Sequence, residues 1–122
     1  MAVSSLNRPL AGDAMLFDLA AEIETARSVE PAAQTRRTAR TLLKNGPLRV
    51  TLILVHPGGE IAEHTASGPI TIQVLRGSIR LRIDNEEQTL SAGQVIGLAG
   101  GIRHSVAADE EAAFLLTVVQ PR

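Results

Sequence analysis

From Thr38 to Val119 the chain is a succession of short apolar segments, each closed by a turn signal, and this rhythm narrows the possible folds more than any other feature. ARTLLK (39–44) and LRVTLILV (48–55) flank Asn45-Gly46-Pro47, and Pro57-Gly58-Gly59 leads into a strand around Ile61 to Ala66. ITIQVL (70–75) and SIRLRI (78–83) meet across Arg76-Gly77. A turn over 84–87 precedes QTL (88–90), a second turn from Ser91 to Gly93, QVIGL (94–98) and finally AAFLLTVV (112–119). Their β-branched and leucine content suits a pleated surface. In SIRLRI, Ile79, Leu81 and Ile83 alternate with Arg80 and Arg82, as in a strand with one buried and one solvated face. Many short strands joined by tight turns predict an all-β antiparallel sandwich or barrel.

Upstream the pattern differs. Residues 1–12 are polar and irregular and read as a loose arm. Leu16, Leu19, Ala20, Ile23 and Ala26 then recur at helical spacing, with Asp18, Glu22 and Glu24 off that stripe. This predicts an amphipathic helix from about Leu16 to Ala26, whose apolar face must cover something. Residues 28–37 read as a linker in which Pro31 breaks any helix. The expected organisation is an N-terminal arm, short helix and linker over 1–37 and a barrel over 38–122. A chain of 122 residues suffices for one domain that buries roughly two-thirds of its unfolded surface.

Composition removes several functional classes. Twelve Lys and Arg against 13 Asp and Glu give a net charge of -1 with no run of five like charges, so neither nucleic acid nor an anionic membrane is an expected partner. The absence of cysteine excludes a disulfide framework, a zinc-thiolate site and a cysteine nucleophile. Phe17 and Phe114 are the only aromatic residues, which rules out an aromatic cage or a base-stacking platform. The beginning of the chain lacks the apolar stretch of a signal peptide, and no run reaches transmembrane length. A cytoplasmic protein is the expectation. No phosphate-cradling glycine loop, G-x-S-x-G elbow or helical H-E-x-x-H is present.

Two of the three histidines lie in glycine-punctuated segments, GGEIAEHTASGPITIQVLRG (58–77) and GQVIGLAGGIRH (93–104). These segments resemble the two motifs of the cupin family, in the family's order and at a compatible separation. Gly58, His64 and Gly77 fall in place in the first motif, and Gly93, Gly101 and His104 in the second. The resemblance covers about residues 47–119. It implies the cupin double-stranded β-helix, a jelly-roll barrel, here with a short N-terminal helix. It also implies that His64 and His104 occupy the positions of the first and last metal ligands, on strands that line one end of the barrel. Ala66 and Ile70 stand where the family has a second histidine and a glutamate, and Ala99 and Ala108 replace its Pro and Asn.

The chemistry expected of these residues is limited. Two imidazoles leave a divalent ion short of protein ligands, because catalytic zinc takes three and non-haem iron takes two histidines and a carboxylate. Any bound divalent metal is expected to be weak and pH-dependent. If Pro57-Gly58-Gly59 closes a hairpin, His56 shares a face with His64 and completes a three-histidine site; otherwise it caps a strand end, half exposed. Gln73 interrupts ITIQVL and either donates to a ligand or is a satisfied polar group at an interface. Arg103, beside His104, is placed to hold an anionic substrate at the rim or is an ordinary surface arginine. The expected function is binding of a small organic molecule in the barrel, oriented by His64 and His104, with Gln73 and Arg103 as further candidates. The alternative is a metal-dependent oxygenase, isomerase or lyase using His64, His104 and His56. Unpaired sheet edges and the apolar helix face lead to the expectation of a homodimer.

Overall fold

The computed structural model describes residues 10–31 and 33–120. Its elements, in chain order, are α1 (Leu19–Arg27), β1 (Arg37–Asn45), β2 (Leu48–Val55), β3 (Glu60–His64), β4 (Ile70–Arg76), β5 (Ser78–Ile83), β6 (Glu86–Ser91), β7 (Val95–Leu98), β8 (His104–Ala107) and β9 (Ala112–Val119). The strands form two antiparallel sheets, one of five in the order β1-β2-β9-β4-β7 and one of four in the order β3-β8-β5-β6. This is the expected β-sandwich with one short helix, and residues 58–119 contain no helix.

Alternation along each strand builds the core between the sheets. Ile70, Ile72 and Val74 of β4 point inward while Thr71 and Gln73 remain exposed. Ile79 and Leu81 of β5, Val106 of β8 and Phe114 of β9 meet them, all nearly inaccessible to solvent. The unbroken apolar run LRVTLILV has a different cause. Ile53 and Val55 face this inner core, whereas Leu52 and Leu54 face outward and are buried against α1 together with Ile23, Ala26, Leu42 and Ala113. A strand covered on both faces has no solvated face on which to place polar residues.

The helix departs from the expected reading at its start. Asp18 caps it, accepting a hydrogen bond from the backbone N–H of Ala21 at 3.2 Å, so the first turn begins at Leu19 and Leu16 lies outside it, 91% exposed. Glu22, which periodicity places off the apolar stripe, is buried and pairs with Arg40 of β1 at 3.3 Å. At the other end Arg27 donates from Nε to Glu111 at 3.0 Å, tying α1 to the turn before β9. That hydrogen bond holds the Glu111 carboxyl below the usual carboxylate range.

Turns decide where the chain changes sheet. Gly77 is the whole connection between β4 and β5, with φ of 71°, and a Cβ there would lie 2.6 Å from the Glu111 carbonyl oxygen, so only glycine fits. Asp84-Asn85 is a two-residue hairpin loop with Asp84 at φ 53°. The turn is therefore shorter than the four residues expected, and Glu86 and Glu87 already belong to β6. No helix among the described residues is long and apolar enough to cross a membrane.

The helix contributes to stability through its buried face rather than its length. Ile23→Ala should cost about 2–5 kcal/mol in urea unfolding, whereas Leu16→Ala should change stability by less than about 0.5 kcal/mol. Equal effects of the two would show that α1 is not docked as described.

Candidate functional site

The site is built where β3 meets β8. Glu60 pairs with Ala107, Ile61 with Val106 and His64 with His104. Ile61 to His64 is a step of three residues, while Val106 to His104 is a step of two, so β3 carries one extra residue, a β-bulge. On an unbroken strand Ile61 and His64 would face opposite sides of the sheet. With the bulge, both line the same cavity.

The two imidazole rings are 4.3 Å apart between centroids, with their planes inclined at 60°. His104 is buried and His64 is exposed. Each ring is held in the same manner: Nδ1 of His64 lies 2.9 Å from the carbonyl oxygen of Ala62, and Nδ1 of His104 lies 2.9 Å from that of Ile102. A carbonyl oxygen only accepts, so in the neutral ring Nδ1 carries the proton and the distal Nε2 has a free lone pair. Both histidines are thereby set in one tautomer.

The cavity, of about 220 Å³, lies between the sheets. Ile53, Ile70, Ile72, Val106, Phe114 and Leu116 form most of its wall, and among the described residues its polar lining is Arg37, His64 and His104. Arg37 and His64 also line a second, outer groove beside β3, which places them at the mouth. Arg37 is half-buried, and its guanidinium donates from Nη1 to the carbonyl oxygen of Glu60 at 3.1 Å. Sequence reasoning missed Arg37 because it assigned residues 28–37 to a linker. The available signal was that Arg37 shares a strand face with Ala39, two residues on, once β1 is extended to its true start.

The remaining candidates go elsewhere. His56 is not carried to His64, because β2 pairs with β1 and β9 and not with β3. Pro57-Gly58-Gly59 takes the chain from one sheet to the other, and the hairpin that a three-histidine site requires is absent. His56 lies near the opposite end of β3, with its backbone N–H bonded to Arg36 and its Nε2 buried without a hydrogen-bond partner. Gln73 is exposed, paired with Val95 and Leu115, and turned away from the inward Ile72 and Val74. Arg103 is exposed outside the cavity, 3.9 Å from Glu63.

A resident metal centre does not fit these residues. Among the described residues no group of three or more His, Cys, Asp or Glu side chains could hold a metal ion. Ala66 and Ile70 line the cavity but offer no donor atom.

The profile of the family described as Cupin domain matches residues 51–119. Among solved structures, the chain is similar to a conserved protein of unknown function from Streptococcus pyogenes, at 29% identity and a TM-score of 0.72, with 93% of this chain and 94% of that one covered. It is also similar to an uncharacterised conserved protein with a double-stranded β-helix domain from Klebsiella pneumoniae, at 21% identity and a TM-score of 0.71, with 88% and 90% covered. A third similar structure is a cupin superfamily protein from Desulfitobacterium hafniense, at 16% identity and a TM-score of 0.69, with 74% and 83% covered. Among curated proteins none matches.

Because Ala66 and Ile70 both line the cavity, restoring donors there should create what the native residues lack. Ala66→His with Ile70→Glu should raise zinc affinity by about tenfold or more over the native chain in calorimetry at about pH 8. A native affinity already as high as that of the double variant would show that the native chain recruits other ligands.

Proposed function

The chain belongs to the cupin family, and from that premise we propose that it binds a small organic molecule in the cavity between its sheets, oriented by His64 and His104. The observation that carries this reading is the pair of imidazoles brought to 4.3 Å, in one tautomer, at the wall of an otherwise apolar cavity. An apolar concavity with a few convergent polar groups is the usual form of a small-molecule site. His104 is itself buried, and its distal nitrogen is directed away from its backbone partner, where it is available to a ligand in the cavity. The volume suits a compact ligand, since it falls below the roughly 300–1,000 Å³ of drug-sized pockets.

A second reading, a metal-dependent oxygenase, isomerase or lyase, has one observation in its favour: both Nε2 lone pairs are left available by the Nδ1 hydrogen bonds. Two such nitrogens without a carboxylate rank it below simple binding.

The test is a fragment screen read by NMR on the imidazole resonances of His64 and His104. Fragments should shift these resonances together with methyls of Ile72 and Val106, and Leu116→Trp, which fills the cavity, should weaken binding by about tenfold or more. Binders that leave the histidines unchanged, or that ignore Leu116→Trp, would refute the reading.

We also propose that the chain pairs into a homodimer. Strands β1, β7, β3 and β6 are sheet edges, and Val95 on β7 is 61% exposed, an arrangement that association relieves. Light scattering should return twice the chain mass, and a monomer across a wide concentration range would contradict it.

A further inference from the structure

Resting on the reading of the cavity as a ligand site, we propose that its ligand is a small hydroxycarboxylate with a compact apolar body, the carboxylate held by Arg37 and the hydroxyl donating to Nε2 of His64, which lines the mouth beside it. The cavity wall offers one fixed positive charge and no carboxylate. Among the described residues the guanidinium of Arg37 is engaged with the backbone carbonyl of Glu60 and with no acidic side chain, which leaves most of its donors to a ligand. The acidic groups nearby, Glu60 and Glu63, line the outer groove rather than the cavity, and Glu63 lies against Arg103. An arginine fork of this kind matches the geometry of a carboxylate.

The histidines ask for a different group. With Nδ1 of each committed as donor to a carbonyl, Nε2 is an acceptor in the neutral ring. A carboxylate oxygen, itself an acceptor, gains nothing from that nitrogen, whereas a hydroxyl hydrogen does. A ligand that uses both groups at the mouth therefore presents an anion to Arg37 and an O–H to Nε2 of His64.

The rest of the wall sets the body. Ile53, Ile72, Val106 and Phe114 accept only apolar surface. A dry cavity of about 150 Å³ is known to hold benzene, so 220 Å³ accommodates a ring or a branched alkyl group together with a carboxylate.

The experiment uses matched sets on the full chain: mandelate and 2-hydroxyisocaproate, their deoxy acids phenylacetate and 4-methylpentanoate, and the primary amides of the two hydroxy acids. Affinities come from calorimetry, and location comes from the His64 and His104 resonances. The hydroxy acids should bind about tenfold or more tightly than either control series. Arg37→Gln should abolish the preference for acid over amide and Arg37→Lys should retain it, while His64→Ala should erase the difference between hydroxy and deoxy acids. Amides that bind as well as acids, or deoxy acids that bind as well as hydroxy acids, would overturn the assignment while leaving the cavity a ligand site. If no compound of any series, nor any fragment, perturbs the histidines, the ligand-site reading falls and this one with it.

Discussion

Strand β9 lies between β2 and β4, in continuous register with β2 from Leu48–Val119 to Val55–Ala112 and with β4 from Ile70–Val118 to Val74–Phe114, beyond which the register shifts so that Arg76 faces Ala113. These ladders join segments at least 37 residues apart in sequence, and β2 and β9 are buried on both faces where they pass under α1. Phe114 fills the inner core while its neighbour Ala113 lies under α1, and Ile53 and Leu52 divide in the same way on β2. The helix is therefore not an appendage. Without Ile23 and Ala26 against Leu52, Leu54 and Ala113, the outer face of β2 and β9 would be an exposed apolar surface, which soluble proteins avoid at that size.

Much of this was legible in the sequence, and the parts that were not share physical causes. Alternation in ITIQVL and SIRLRI, and the glycine turn between them, identified β4 and β5 closely because each has one buried and one open face. Strand β8 left no such trace. Its four residues, HSVA, are too few to establish a period, and it was implied only by the family resemblance around His104. Arg37 was hidden by a boundary error of one residue, the commonest kind at the start of an element. Glu22 was misplaced because a carboxylate on a helix reads as solvated unless its partner is known, and Arg40 is contributed by a strand eighteen residues later.

The site illustrates a related limit. The spacing of glycines and histidines pointed to His64 and His104, but nothing local in the sequence distinguishes them from His56, which reaches the other end of β3 because a turn that could have closed a hairpin changes sheet instead. Tight connections of this kind set the position of every side chain that follows. Once the sheets are in place, simple rules set the site: backbone carbonyls choose the imidazole tautomers, the apolar strand faces form the wall, and Arg37 places a positive charge at the mouth.

The β-bulge between Ile61 and His64 makes the orientation of one imidazole a matter of counting. Side-chain direction on a strand has a parity, and an insertion or deletion of one residue at Ala62 or Glu63 reverses it for His64 while leaving Ile61, Val106 and the rest of the sheet where they are. Such indels are ordinarily ruinous inside a sheet because they slip an entire register. Here β3 is an edge strand that ends at His64, so the slip falls on the short segment before β4, where the Ala66 carbonyl accepts from the Gly101 N–H. The bulge thus couples the presentation of a polar group at the cavity mouth to the length of one edge strand rather than to the packing of the interior.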